Sequence, residues 1–528
     1  MESLSMPQIK KVAVTETPYV SKLARDYFLG KNLGGLSPGI PTLDQIISKA
    51  GQKQFTSTQR ESLINALYQQ YKRDGIELDA NSPVAENIEA LRSNNTFTFT
   101  TGQQIHIFLG PLFFVYKIQS LIAQARQFND QQADIKAVPV FWMATEDHDL
   151  EEIDHVNLYG TTFKWEAKSG NAVGRLKCEG LPQLIEKLEE RADKNEQNAA
   201  FFEMLRRHYT LGKSLAAATR SLIHELFGND GLLIIDPDDT QLKQSFLNTA
   251  KKDIQGKVVH GFASPTTALF KKQGYEPRVN PQEINYFWLD RDKRIKLKAQ
   301  GEHIIKEDSG ETISMEEIFS NVEKLSPNVL TRPLYQETIL PNILFLGGSA
   351  EVEYWLPLQQ AFEELGLQFP VLLQRDSVLI LSSKNLEFIE SNGFSWEQLF
   401  KSEKDLAEYY FEFIHKKSEK LSERVAGMET VMSALKEELE KRSTPGAIFK
   451  EINEIQKAFG RLEKMLADEE LKLQKENVIL GKILKLKAKF FDTKQERDEF
   501  VVAYPQMVNY RFEKKNSLTP ELFLNIVG

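Results

Sequence analysis

The chain has 528 residues, of which 41% are hydrophobic, 10% aromatic and 27% charged. That balance excludes a disordered chain, and at ~100–200 residues per domain the length implies about three domains or one core with large insertions. Lys and Arg total 66 against 75 Asp and Glu, a net charge of −9, which argues against nucleic acid as the main partner because phosphate binding needs a basic field. The one cysteine, Cys178, excludes an intramolecular disulfide and a cysteine-rich zinc site and fits a reducing compartment. Met1 to Thr15 lacks the apolar core of a signal peptide, and no stretch reaches the ~18 apolar residues of a spanning helix. The expectation is a soluble, acidic, cytoplasmic protein with no membrane partner.

In chain order, Tyr19 to Gly75 reads as helical, with Leu63, Leu67 and Tyr71 on one face at i, i+4 and i+8. Thr96 to Thr101 alternates apolar and polar residues and is rich in β-formers, which predicts a strand ending at Gly102. A helical pattern follows Pro111 through Phe114, Ile118, Leu121, Ile122 and Ala125. Ala137 to Ala144 is a near-continuous apolar run, the signature of a strand buried on both faces. Gly231 to Asp236, Ile343 to Leu346 and Val371 to Gln374 are three more, closed by Pro237, closed by Gly347-Gly348 and entered through Pro370. Helical patterns at Leu205 to Phe227 and Ala350 to Leu365 lie between them. Strands alternating with helices predict an α/β fold with a Rossmann-like parallel five-stranded core.

The intervals from Ala144 to Gly231 and from Asp236 to Ile343 far exceed the ~30 residues of a βαβ unit. They therefore carry insertions, at about 154–204 and 255–330. The first holds a β-rich piece, Asp154 to Lys177, with Asn157-Leu158-Tyr159-Gly160 and Phe163-Lys164-Trp165. The second holds a hairpin, Tyr286 to Leu289 and Ile295 to Leu297, around Asp290-Arg291-Asp292. Leu421, Val425, Met428, Met432, Leu435 and Leu439 then step by fours and threes. Ile448, Ile452, Ile455, Phe459, Leu462 and Leu466 repeat the pattern, and Leu473, Leu480 and Leu484 continue it. The break at Ser443-Thr444-Pro445-Gly446 makes these runs an antiparallel helical coiled coil, each arm about 30 Å or more at ~1.5 Å per residue. The domain reading is a core at 1–385 with its insertions, a helical domain at 386–490, and a segment at 491–528 that returns to the core.

Ligands of open α/β sheets bind at the carboxyl ends of the strands, and that rule ranks the candidates. After the first strand come Gly102, Gln103 and Gln104, either a substrate loop opening a helix N-terminus or a structural turn with surface glutamines. After the second stand Glu146, Asp147, His148 and Asp149, followed by Glu151, Glu152, Asp154 and His155. This is the densest constellation of the chain, suited to acid–base chemistry or amine recognition. A charged first turn of a helix is the structural alternative, and a metal site a third. Asp236 follows the third strand, at a proline-containing turn. Gly347 and Gly348 follow the fourth with Glu351 and Tyr354 behind them, a design for an anion that lacks the P-loop lysine. Arg375 follows the fifth and is either a carboxylate clamp or part of a surface pair with Asp376. His208 and His224 read as packed or surface residues, Cys178 has no identifiable base, and no G-x-S-x-G occurs.

Thr101-Gly102-Gln103-Gln104 with Gly110-Pro111-Leu112 and Tyr116-Lys117, and Val138-Pro139-Val140-Phe141-Trp142 running into Thr145-Glu146-Asp147-His148-Asp149, resemble the bacillithiol biosynthesis cysteine-adding enzymes, the BshC family. Leu340-Pro341-Asn342 with Gly347-Gly348, Glu351 and Tyr354-Trp355 matches a second block of that family, and Gln495-Glu496-Arg497 a third. The chain departs from the family pattern at His106 and at Ser349-Ala350.

The resemblance implies a fold like class I nucleotidyltransferases, a Rossmann core with two connecting-peptide insertions, and a coiled coil that supports a homodimer. It implies a cysteine ligase for the last step of bacillithiol synthesis, which joins the carboxyl of L-cysteine to the amine of glucosaminyl malate. Amide formation needs an activated carboxyl, for which ATP is the natural activator, yet the HxGH and KMSKS signatures of adenylating relatives are absent. No metal is expected. By their position at the strand ends, and not from the family, Gly102, Gln103 and Gln104 are read as a substrate loop, and Glu146, Asp147, His148 and Asp149 as receiving and deprotonating the amine. Gly347, Gly348 and Glu351 cradle an anion, Tyr354 lines the cleft, and Arg375 and Asp236 complete the binding set. A non-catalytic scaffold recruiting through the coiled coil, and a metal-dependent hydrolase, are the other readings.

Overall fold

A computed structural model describes residues 10–33, 41–167, 172–291, 293–414, 421–442, 446–475, 478–491, 499–507, 512 and 521–527. The chain forms two compact units, one built on Lys10–Val378 and one on Leu379–Glu496.

The first unit is organised by helix α1 (Ser57–Arg73), strand β1 (Thr96–Gln103), α2 (Leu112–Gln131), β2 (Lys136–Met143), β3 (Leu233–Ile235), α3 (Thr240–Gly256), α4 (Arg332–Ile339), β4 (Asn342–Gly347), α5 (Ser349–Trp355) and β5 (Val371–Gln374). The five strands lie in the order β5-β4-β1-β2-β3, and every neighbouring pair is parallel. The α/β class and the five-stranded parallel core expected from the sequence are present. The order reverses between β1 and β4, which is the topological switch point where such sheets bind ligands.

The polar half of β1 does not face solvent. Thr98, Thr100 and Thr101 are buried and find partners inside the sheet. Thr98 and Thr100 donate to Asn342 Oδ1 at 3.2 and 2.8 Å, and Thr101 to Leu346 O at 2.6 Å. Their alternation with Phe97 and Phe99 thus ties β1 to β4, where a buried hydroxyl without a partner would cost ~1–3 kcal/mol. Helix α2 is buried almost all round, with Phe114, Ile118 and Leu121 inaccessible; burying each such side chain stabilises the fold by ~1.5–3 kcal/mol.

Two helical expectations divide. Leu205 to Phe227 is split into Glu196–His208 and Leu215–Phe227. Gly212 lies between them at φ +78°, and the Ser214 hydroxyl caps the second helix. The helix from Ala350 stops at Trp355 and restarts at Gln359, because Pro357 cannot donate a helical hydrogen bond.

Between β2 and β3 the hairpin His155–Leu158 with Thr161–Lys164 precedes helices. Between β3 and β4 lies a five-stranded sheet in the order Thr312–Ile313, His303–Lys306, Arg294–Gln300, Tyr286–Leu289, Leu325–Pro327, antiparallel throughout. Asp292, in the turn expected after Leu289, lies outside the described residues.

In the second unit, Leu421–Glu440 and Gly446–Lys475 are helices. Lys436 Nζ donates to Asn453 Oδ1 at 2.8 Å and Gln456 Nε2 to Ser433 Oγ at 3.1 Å, so the two helices run antiparallel. Val425 and Ile452 are buried, but Met428, Leu435, Ile448, Ile455 and Leu462 are exposed. The break residues Ser443, Thr444 and Pro445, and the block Gln495-Glu496-Arg497, lie outside the described residues.

Candidate active site

Past the carboxyl ends of β1, β2 and β4 opens a cavity of about 920 Å³. Gly102, Gln103 and Gln104 line it from β1, and Glu146, Asp147, His148 and Asp149 from β2. Glu351 and Tyr354 line it from α5, and Arg294 and Arg332 from the β3–β4 interval and α4. Nine of the thirteen residues singled out in the sequence therefore share one wall system. Asp236, Gly347, Gly348 and Arg375 are not on it.

The switch point is held by a lysine. Lys117 reaches back from α2, its side chain 2% exposed. Its Nζ donates to Gly102 O at 2.5 Å, to Gln103 Oε1 at 3.1 Å and to the carboxylate of Glu351. Burial pulls Lys117 below the usual lysine range, and the Glu351 carboxylate opposes that. Glu351 Oε2 also accepts the Gly348 N–H at 2.7 Å. This corrects the anion-cradle expectation: the protein's own carboxylate fills the start of α5. A Cβ at Gly347 would stand 2.9 Å from Glu351 Cβ, so glycine there permits the fold-back of Glu351 rather than contact with a ligand.

Beyond β2 the four acidic-block residues take different environments. Glu146 is buried, with Oε1 2.5 Å from Lys243 Nζ of α3. Burial pushes its carboxyl up while Lys243 pulls it down. Asp147 accepts Gln104 Nε2 at 2.9 Å, Arg294 Nη1 at 3.2 Å and the His148 N–H at 2.8 Å. Burial opposes its charge, but the Arg294 guanidinium, the Gln104 amide and the His148 backbone N–H outweigh it and hold the carboxyl well below the usual range. Gln104 Nε2 also reaches Glu152 at 2.6 Å, so one amide joins the β1 and β2 loops. Asp149 is the most exposed of the block, at 56%.

Asp236 is a buried support rather than a ligand contact. It accepts the Thr145 hydroxyl at 2.5 Å and Arg73 Nη2 of α1 at 3.0 Å, so it fixes the chain that leads into Glu146. Arg375 turns away as well. Its Nη1 donates to Asp376 O and Ser377 Oγ, and its guanidinium lies 5.6 Å from the Phe113 ring. His106 is buried, and that burial holds its imidazole down to about 4.

The model of the bacillithiol biosynthesis BshC N-terminal Rossmann-like domain matches residues 8–376. The chain belongs to the BshC family. Its relatives include proteins named "Putative cysteine ligase BshC". One, from Flavobacterium johnsoniae, is 36% identical over 74% of each chain. Another, from Christiangramia forsetii, is 35% identical over 75% of each, and one from Flavobacterium psychrophilum is 31% identical over 92% of each. Membership places the chain among the ligases of bacillithiol biosynthesis.

Within this BshC-family site, the sequence reading missed the cations. Lys117 had a signal, a lysine in the middle of an apolar helical face. Arg332 follows a turn at Thr331 with no motif around it, yet its guanidinium lies 5.4 to 5.8 Å from the rings of Phe345, Trp142 and Trp355. Arg294 is delivered by the antiparallel sheet. Ligand-type atoms of Asp147, His148 and Asp149 lie within 4.8 Å of one another. The Arg294 guanidinium bonds two of them, Asp147 and His148, so a fixed positive charge already lies beside the trio.

Proposed function

We propose that the chain catalyses the final step of bacillithiol synthesis, the joining of the L-cysteine carboxyl to the amine of glucosaminyl malate. The supporting observation is the convergence of Asp147, His148, Asp149, Glu351, Arg294 and Arg332 on one cavity at the switch point. A cavity of about 920 Å³ is within the ~300–1,000 Å³ of small-molecule sites. Carboxylates on one side suit an amine and guanidinium groups suit carboxylates. In the reaction the amine nitrogen bonds to the carboxyl carbon. The activated oxygen leaves with its electron pair, and the amine proton passes to a carboxylate, for which exposed Asp149 is placed. ATP is the activator in this reading and supplies the leaving group. The Glu351-filled start of α5 does not offer it a phosphate cradle.

The homodimer belongs to the same proposal, with Met428, Leu435, Ile448, Ile455 and Leu462 as the exposed apolar residues a second copy would cover. So does a cytoplasmic site of action on these two small molecules. The test is reconstitution of the purified chain with cysteine, glucosaminyl malate and ATP, read by mass spectrometry. Appearance of the amide supports the assignment. Its absence, together with unchanged glucosaminyl malate in a deletion strain, favours a scaffold instead.

A further inference from the structure

We infer that His148 acts as a hydrogen-bond donor through Nε2–H toward a substrate oxygen, and that Arg294 is the positioning residue that sets this form. The substrate identity rests on the function proposed above; the imidazole form does not. An arginine carries only donors. Arg294 Nη1 lies 3.1 Å from His148 Nδ1 with its hydrogen directed at that nitrogen, so Nδ1 presents its lone pair. The competing arrangement, an Nδ1–H donating to Asp147 Oδ1, spans 3.4 Å and would turn the Arg294 hydrogen against another hydrogen.

Arg294 is not free to give way. Its Nε donates to Ser326 Oγ at 3.1 Å and its Nη2 to Pro327 O at 2.9 Å. Its guanidinium stacks 4.1 Å from the centroid of Phe287, a geometry that favours a cation, and the side chain is only 7% exposed. The same Phe287 ring packs on His148 with centroids 5.4 Å apart. One aromatic ring and one guanidinium thus fix the imidazole.

With Nδ1 occupied, the hydrogen of the neutral ring sits on Nε2. Asp149 Oδ1 is 3.9 Å from Nε2, beyond hydrogen-bond reach, and His148 lines the cavity. The Nε2–H is therefore offered to an acceptor in the cavity, a carboxyl or acyl oxygen. The earlier expectation that His148 deprotonates the amine is replaced: the ring donates, and a carboxylate takes the proton.

The test uses the full chain labelled with 15N-histidine, with long-range proton–nitrogen correlations assigned by comparison with His148→Gln. The wild type is expected to show a protonated Nε2 and a lone-pair Nδ1. In Arg294→Met the Asp147 carboxylate becomes the nearest partner of Nδ1 and draws the hydrogen there, so the expected spectrum is Nδ1–H. Arg294→Lys, which keeps a donor-only head, retains Nε2–H and serves if the Met variant does not fold. A wild-type or Lys spectrum with Nδ1–H, or a folded Met variant unchanged from wild type, overturns the inference. In the reconstituted reaction, Arg294→Met lowers kcat about 10²-fold, the usual loss for a misaligned oxygen-binding donor, and Arg294→Lys recovers part of it. If the reaction itself fails, the spectra still decide the imidazole form.

Discussion

Lys117 and Cys178 show what single residues contribute and what the sequence could say of them. Lys117 joins the β1 loop to Glu351 from a position 2% exposed. Lys117→Met would leave a partly buried carboxylate and the Gly102 carbonyl without their partner, a loss of about 3–5 kcal/mol for a broken buried pair. Urea unfolding is expected to show that loss, and a change under 1 kcal/mol would refute the pinning role. Cys178 is buried, and burial pushes its thiol up to about 12, far from a reactive thiolate. Cys178→Ala is expected to leave the rate within about two-fold, and the native thiol to resist alkylation. The sequence marked the acidic block because His148 and its neighbours follow a recognisable strand. It could not mark Arg294, whose place depends on a separate sheet folding over the strand ends.

At the scale of elements, four of the five core strands were legible as near-continuous apolar runs, three of them bounded by proline or glycine, and β1 was legible by its alternation up to Gly102. The divided helices were less so, since Gly212 and Pro357 sit inside patterns that otherwise keep helical period. The corner after α3 was not legible at all. There Asp253 is buried and its Oδ1 accepts the Val259 N–H at 2.8 Å. Burial pushes this carboxyl up to about 6, with the Val259 N–H opposing. An acid raised above its unfolded value of ~3.9 holds its proton more tightly when folded. This group's contribution to stability is therefore fully present at low pH, is lost as pH rises from about 4 through about 6, and stays absent above that window. Asp253→Asn keeps an acceptor for Val259 and does not titrate. It is expected to be more stable than wild type at pH 8, by at most about 3 kcal/mol, with the gap closing toward pH 4. Urea denaturation at both pH values checks this, and a gap independent of pH would contradict it.

For the whole molecule, the net charge of −9 suits chemistry on small polar metabolites, and among the described residues no helix is long and apolar enough to cross a membrane. The heptad runs were readable from spacing alone, but not that so many of their apolar residues stay exposed on the two-helix hairpin. If a second copy covers them, Met428→Glu with Leu462→Glu should convert a dimer to a monomer by light scattering while catalysis per chain persists; an unchanged mass would place the interface elsewhere. The central claim is that the cavity at the β1–β4 switch point is where cysteine is joined. The most direct measurement is bacillithiol in cells whose only copy carries His148→Ala and Asp149→Ala, with the folded state of the variant verified by circular dichroism. The account predicts loss of the thiol with accumulation of glucosaminyl malate; wild-type bacillithiol from a folded double variant would contradict it.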